Sequence, residues 1–130
     1  MTAIRGVAEI VLAAHDMDRM LAFYEGVLGL QRLPAGPEVK PVFFRVAPGQ
    51  AGIPQMLVVV PLSPDTPAFS GPRPLHHLAL ELAPEDFDAE RARLSGLGYS
   101  LREGKHPVVP SRTMYVDDPE GNEVEFICRL

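Results

Sequence analysis

The sequence holds a single cysteine, Cys128, so no disulfide can close within the chain and a reducing compartment suits it. Basic residues are scarce: 12 Lys and Arg stand against 17 Asp and Glu, giving a formal charge of −5. A negative surplus repels phosphate backbones and anionic lipid, which sets nucleic acid and membrane surfaces aside as expected partners. No apolar run approaches the roughly 20 residues that cross a bilayer. The opening MTAIRGVAEIVLAAHD interrupts its short apolar run at Glu9 and lacks a signal-peptide layout. A Ser-His-Asp arrangement, a phosphate-binding glycine loop and a redox CxxC pair are all missing. With 130 residues, 46% hydrophobic and 22% charged, the expectation is a cytoplasmic protein of one domain with a modest core.

What is present reads as two similar halves. VAEIVL at 7–12 alternates like a strand, Asp16 offers a cap oxygen, and Met20, Tyr24, Val27 and Leu28 recur at helical spacing before Gly29. PLHHLALEL repeats the pattern, with Leu78, Leu80 and Leu82 on one strand face. Pro84 then suits a first helical turn, Phe87 and Leu94 its buried side, and Gly96 and Gly98 its end. Each half closes in further strands: PVFFRVA and QMLVVVPL in the first, SRTMYV and EVEFICRL in the second. The proline-dense PLSPDTPAFSGPRPL between them cannot continue a sheet. The fold class expected is α+β, with pseudo-symmetric βαβββ modules at 1–62 and 75–130 and a linker at 63–74.

One stretch resists a purely structural account. In DDPEGNEVEF, residues 118–121 have the composition of a type I turn, yet the strand after it carries Glu125 between Val124 and Phe126. An offset of 68 residues aligns the halves, pairing Glu9 with His77 and Leu57 with Glu125. Glu9 shares its strand face with Val11 and Ala13, and His77 with Ala79 and Glu81, so these faces leave room for a cavity. Equivalent strands of two pseudo-symmetric modules would bring Glu9, His77 and Glu125 together, with Leu57 as an apolar fourth position. Plainer readings stand beside this one. Glu125 and Glu9 suit solvent-facing strand positions, and His77 suits a hydrogen-bonded sheet histidine.

DMDRMLAFYEGVLGL at 16–30, HHLALEL at 76–82 and MYVDDPEGNEVEF at 114–126 together resemble the vicinal oxygen chelate superfamily of glyoxalases, bleomycin resistance proteins and extradiol dioxygenases. The resemblance spans nearly the whole chain. It implies two βαβββ modules whose sheets form an open cup around one divalent metal ion, in a protein that forms homodimers. Carried over by position, the metal ligands are Glu9, His77 and Glu125. Many members have His at the position of Glu9, so the set here would be Glu-His-Glu. Glyoxalase I chemistry uses a fourth ligand where Leu57 stands and is disfavoured. Tyr115 matches a dioxygenase tyrosine that contacts substrate.

Two carboxylates and an imidazole neutralise a divalent ion and leave positions open for two substrate oxygens or O₂. This mixed donor set suits Fe, Mn, Zn, Ni, Co or Mg. Arg45, Arg112 and His106 are candidates for binding the substrate. The leading expectation is a metal-dependent enzyme acting on a small oxygenated metabolite, with dioxygenase-like chemistry. The alternative is a metal-free protein that sequesters a small molecule or antibiotic in the same fold.

Overall fold

The computed structural model describes residues 2–130 and divides the chain into two compact units, Met1–Ala68 and Phe69–Leu130. The first contains β1 (Glu9–Ala14), α1 (Met17–Leu21), β2 (Gln31–Arg32), β3 (Val42–Ala47) and β4 (Gln55–Pro61). Asp16 caps α1, its side chain accepting a hydrogen bond from the Arg19 backbone N–H at 3.1 Å. A π-helical turn, Ala22–Val27, continues α1 and buries Phe23 and Tyr24. The sheet order is β1-β4-β3-β2, with β1 parallel to β4 and the remaining pairs antiparallel.

Alternation along these strands separates two faces. Leu12, Ala14, Leu57, Val59 and Phe44 occupy one and are at most 3% exposed, forming the core with Met20, Phe23 and Tyr24. Burying such side chains contributes about 1.5–3 kcal/mol for each large one. Glu9, Val11 and Ala13 lie on the other face, together with Met56, Val58, Phe43 and Arg45.

The second unit repeats the order with β5 (Leu78–Glu81), α2 (Phe87–Gly96), β6 (Arg102–Gly104), β7 (Ser111–Asp117) and β8 (Glu123–Arg129). A 3₁₀ turn begins at Pro84 and leads into α2, whose buried residues are Phe87 and Leu94. Its sheet runs β5-β8-β7-β6, again with one parallel pair. The α+β expectation holds: each unit is a four-stranded mixed sheet with little helix. β2 and β6 were not legible as strands, because segments of two and three residues carry too little alternation.

Much of the proline-rich segment is tied to one unit or the other. His15 Nε2 lies 3.2 Å from the carbonyl oxygens of Thr66 and Pro67 in the first unit. In the second, Arg73 stacks on Phe69 and donates to Asn122 Oδ1 and the Glu120 carbonyl. The β7–β8 turn that Arg73 grips is the one expected at 118–121, closed by Gly121 N–H donating to the Asp118 carbonyl at 2.9 Å. Gly121 has φ +83°, where any side chain strains the backbone, and a Cβ there would meet Arg73 at 3.1 Å. Asp118 is buried and accepts from the backbone of Glu120 and Asn122 and from the Asn122 side chain, each at 2.9 Å. This turn fixes where β8 starts and therefore which way Glu125 points.

The two sheets also reveal a register difference. In the first, Val11 pairs with Val58; in the second, the matching residue Ala79 pairs with Glu125. Glu125 therefore corresponds to Val58, and the equivalence with Leu57 is corrected by one residue. Leu57 pairs with Ile10 and belongs to the buried helix-side face. The fourth position remains apolar.

Candidate metal centre

Glu125 sits mid-strand on β8 with its side chain only 4% exposed. A carboxylate so enclosed is costly unless its oxygens are engaged. Both are: Oε1 lies 3.2 Å from His77 Nε2, and Oε2 accepts from the Tyr115 hydroxyl at 3.2 Å. Tyr115 is the cross-strand partner of Glu125, and its ring stands edge-on to His77 with centroids 6.1 Å apart. Gly104 makes room for that ring, since a Cβ there would lie 3.1 Å from Tyr115 Cε2. The structure thus gathers His77, Tyr115 and Glu125 onto the face opposite α2.

The pair fits a divalent ion. Ligands about 2.1 Å from such an ion lie roughly 3.0 Å apart at right angles and roughly 3.4 Å apart in a tetrahedron. The 3.2 Å between His77 Nε2 and Glu125 Oε1 falls between these limits. The half-exposed imidazole gives an approach from solvent, whereas the carboxylate is held from behind by its strand.

The other expected site residues are distributed as follows. Glu9 is exposed on β1, sharing its face with Arg45 across the intervening Met56. Both lie in the first unit. His106 uses Nδ1 to accept from the backbone N–H groups of Val108 and Val109, at 3.1 and 3.0 Å, and so shapes its own loop. Arg112 lies apart from the site. It sits on the helix-side face, stacked over Phe87 at 4.3 Å and donating to Asp88 Oδ1 at 2.8 Å. Its odd separation from Tyr115 already implies opposite faces of one strand. Asp88 is correspondingly held below the usual carboxylate range, first by that hydrogen bond and next by the Arg112 charge.

Sequence reasoning missed three groups beside the site. Arg102, cross-strand partner of Tyr115, donates from one nitrogen to Asp117 Oδ1 at 2.9 Å and Glu123 Oε2 at 3.1 Å. Strict alternation would turn His76 away from His77, yet its Nδ1 lies 2.8 Å from His77 Nδ1. Alternation does not govern it because β5 begins only at Leu78. His76, His77 and Glu123 accordingly offer ligand atoms within 4.8 Å of one another, although Arg102 already engages Glu123. Finally, Ser111 Oγ and Thr113 Oγ1 are buried with no hydrogen-bond partner among the described residues. They share the Tyr115 face, and even spacing from that tyrosine was the available signal.

Comparison with known proteins agrees with this architecture. The family model for the Glyoxalase/Bleomycin resistance protein/Dioxygenase superfamily matches residues 6–126. A biphenyl-2,3-diol 1,2-dioxygenase from Metapseudomonas furukawaii is 31% identical over 97% of this chain and 41% of its own length. The chain therefore spans about two fifths of the curated relatives it matches. Among solved structures, a glyoxalase/dioxygenase from Nostoc punctiforme superposes with a TM-score of 0.75 at 23% identity, covering 98% of this chain and 93% of that one. An antibiotic binding protein from a Streptomyces strain aligns over 100% of both chains, with a TM-score of 0.67 and 25% identity. On its sequence match and its paired mixed sheets, the chain belongs to the glyoxalase/bleomycin resistance protein/dioxygenase superfamily.

Proposed function

We propose that this protein is a divalent-metal-dependent enzyme acting on a small molecule with adjacent oxygen atoms, through dioxygenase-like chemistry. The observation that carries the reading is Glu125, a carboxylate buried mid-strand whose oxygens face His77 Nε2 and the Tyr115 hydroxyl within hydrogen-bonding range. A strand that merely needed packing would hold an apolar residue there, as β4 does with Val58. His77 and Glu125 would hold the ion, with Glu9 of the first unit completing the set that the family resemblance implies. The ion would be Fe, Mn, Zn, Ni, Co or Mg, and it would supply a Lewis acid with open positions for substrate oxygens or O₂.

The remaining steps fall to the chain's own groups. Tyr115 O–H, already donating to Glu125, is placed to turn toward a substrate oxygen and orient it. The Ser111 and Thr113 hydroxyls lie on the same strand face but are enclosed, so they shape the surroundings of Tyr115 rather than meet a ligand. Arg45 offers a cation for a substrate carboxylate, and His106 retains Nε2 for contact from the loop. Homodimer formation belongs to the same reading, on the strength of the resemblance.

Metal analysis after reconstitution tests the proposal. The parent protein is expected to take up about one divalent ion per chain, and His77→Ala to take up none. Absence of uptake by the parent sinks the enzyme reading. Ring opening of a vicinal diol with oxygen consumption by the iron-loaded protein would then identify the chemistry.

A second reading has its own support. Tyr115, Glu125 and His77 satisfy one another by hydrogen bonds alone, a closed arrangement that a metal-free antibiotic-binding protein would favour. It predicts saturable ligand binding that survives chelator.

A further inference from the structure

His77 has two ring nitrogens, and both are engaged. Nε2 faces Glu125 Oε1 at 3.2 Å, while Nδ1 faces His76 Nδ1 at 2.8 Å. The two rings meet edge to face, their planes 75° apart. Nitrogens at that distance must share one proton, because two lone pairs repel and two N–H groups collide.

With both rings neutral, that one proton dictates the state of the pair. When His76 Nδ1–H donates, His77 Nδ1 accepts, and the His77 proton lies on Nε2, where it donates to Glu125. When His77 Nδ1–H donates instead, its Nε2 presents a lone pair and the His76 proton lies on Nε2. The first state satisfies every contact without an ion. Only the second lets Nε2 bind a cation.

We propose that His76 is a positioning residue that sets the tautomer of His77, donating to it while the site is free and accepting from it once an ion is held. The proposal rests on His77 being a metal ligand, as argued above. Switching moves one proton across the Nδ1–Nδ1 bond, releases one from His77 Nε2 to solvent and returns one from solvent to His76 Nε2. The proton count is unchanged, so the switch involves no change in net charge. His76 is exposed, which gives its Nε2 direct access to water for that exchange. Partners on the second nitrogen of a ligating imidazole fix its orientation and raise its basicity, and their loss typically weakens metal binding about 10–100-fold.

Zinc is a suitable probe because it is diamagnetic and redox-silent. In protein carrying ¹⁵N-labelled histidine, two-bond ¹⁵N–¹H couplings are expected to show protons on His76 Nδ1 and His77 Nε2 without zinc. Protons on His77 Nδ1 and His76 Nε2 are expected with it, and the metal-shifted nitrogen should be His77 Nε2. Competition titration should find His76→Phe weakened about 10–100-fold for zinc. His76→Asn, whose amide oxygen can accept from His77 Nδ1–H, should recover most of that loss. Parent-like affinity in His76→Phe, with zinc bound by the parent, overturns the role of His76 and leaves His77 a ligand. A metal-shifted nitrogen on His76 overturns it too, by making that residue a ligand. A parent that takes up no zinc overturns both proposals.

Discussion

At the scale of single residues, burial and hydrogen bonding separate groups that composition treats alike. Glu123 and Glu125 lie two apart on the same strand face, yet Glu123 is drawn to Arg102 at the strand's start and Glu125 is enclosed with His77 and Tyr115. The same distinction makes Thr113 informative. It is 2% exposed and its hydroxyl has no partner among the described residues, so in the free protein the group is desolvated without return. Thr113→Val preserves the shape and removes the orphaned hydroxyl. We expect stability equal to the parent or higher by about 1 kcal/mol in urea titration. A marked loss of stability would show that the hydroxyl is bonded in the free protein. The candidate site was legible in part at this scale. Glu125 stood out because a lone acid in an apolar strand contradicts its surroundings. His76 did not, because its position depends on chain direction before β5 begins, which alternation cannot give.

Among elements, helix–sheet packing in the second unit depends on a charged patch as well as on Phe87 and Leu94. Asp88 accepts from Arg112 at 2.8 Å and from Arg91 at 3.1 Å, and Arg91 also pairs with Glu103 of β6. Because Asp88 is held below its ordinary range in the folded state, its contribution is present above the unfolded carboxylate pKa. It is lost as pH falls through the lowered folded value. Asp88→Asn should therefore reduce stability slightly at neutral pH and converge with the parent in strong acid, as followed by thermal unfolding across an acid series. The exposure of this carboxylate makes a small effect the expectation. Helix starts were readable from local chemistry, with Asp16 and Pro84 where capping rules put them. The partnership of Arg112 with α2 was not, since it depends on the face β7 turns toward the helix.

For the whole molecule, repetition is the main constraint. Both units have the same strand order and one parallel pair, so a duplicated plan was readable from hydrophobic patterning alone. Its use in assembly is tested by sedimentation: a homodimer is expected, and the monomer mass at working concentration would contradict it. Register was beyond sequence alignment, because a constant offset cannot detect one strand slipping by a single residue. That slip has a practical corollary for redesign. Val58, rather than Leu57, occupies the slot matching Glu125, and both positions are 2% exposed, so a grafted acid meets a different apolar face at each. Leu57→Glu forces a charge beneath the helix and should cost about 4 kcal/mol or more in unfolding experiments. Val58→Glu points away from the helix but lands at a position only 2% exposed, where its strand neighbours Val11 and Phe43 cannot engage a carboxylate, so it too should lower stability and expose what His77 and Tyr115 do for Glu125.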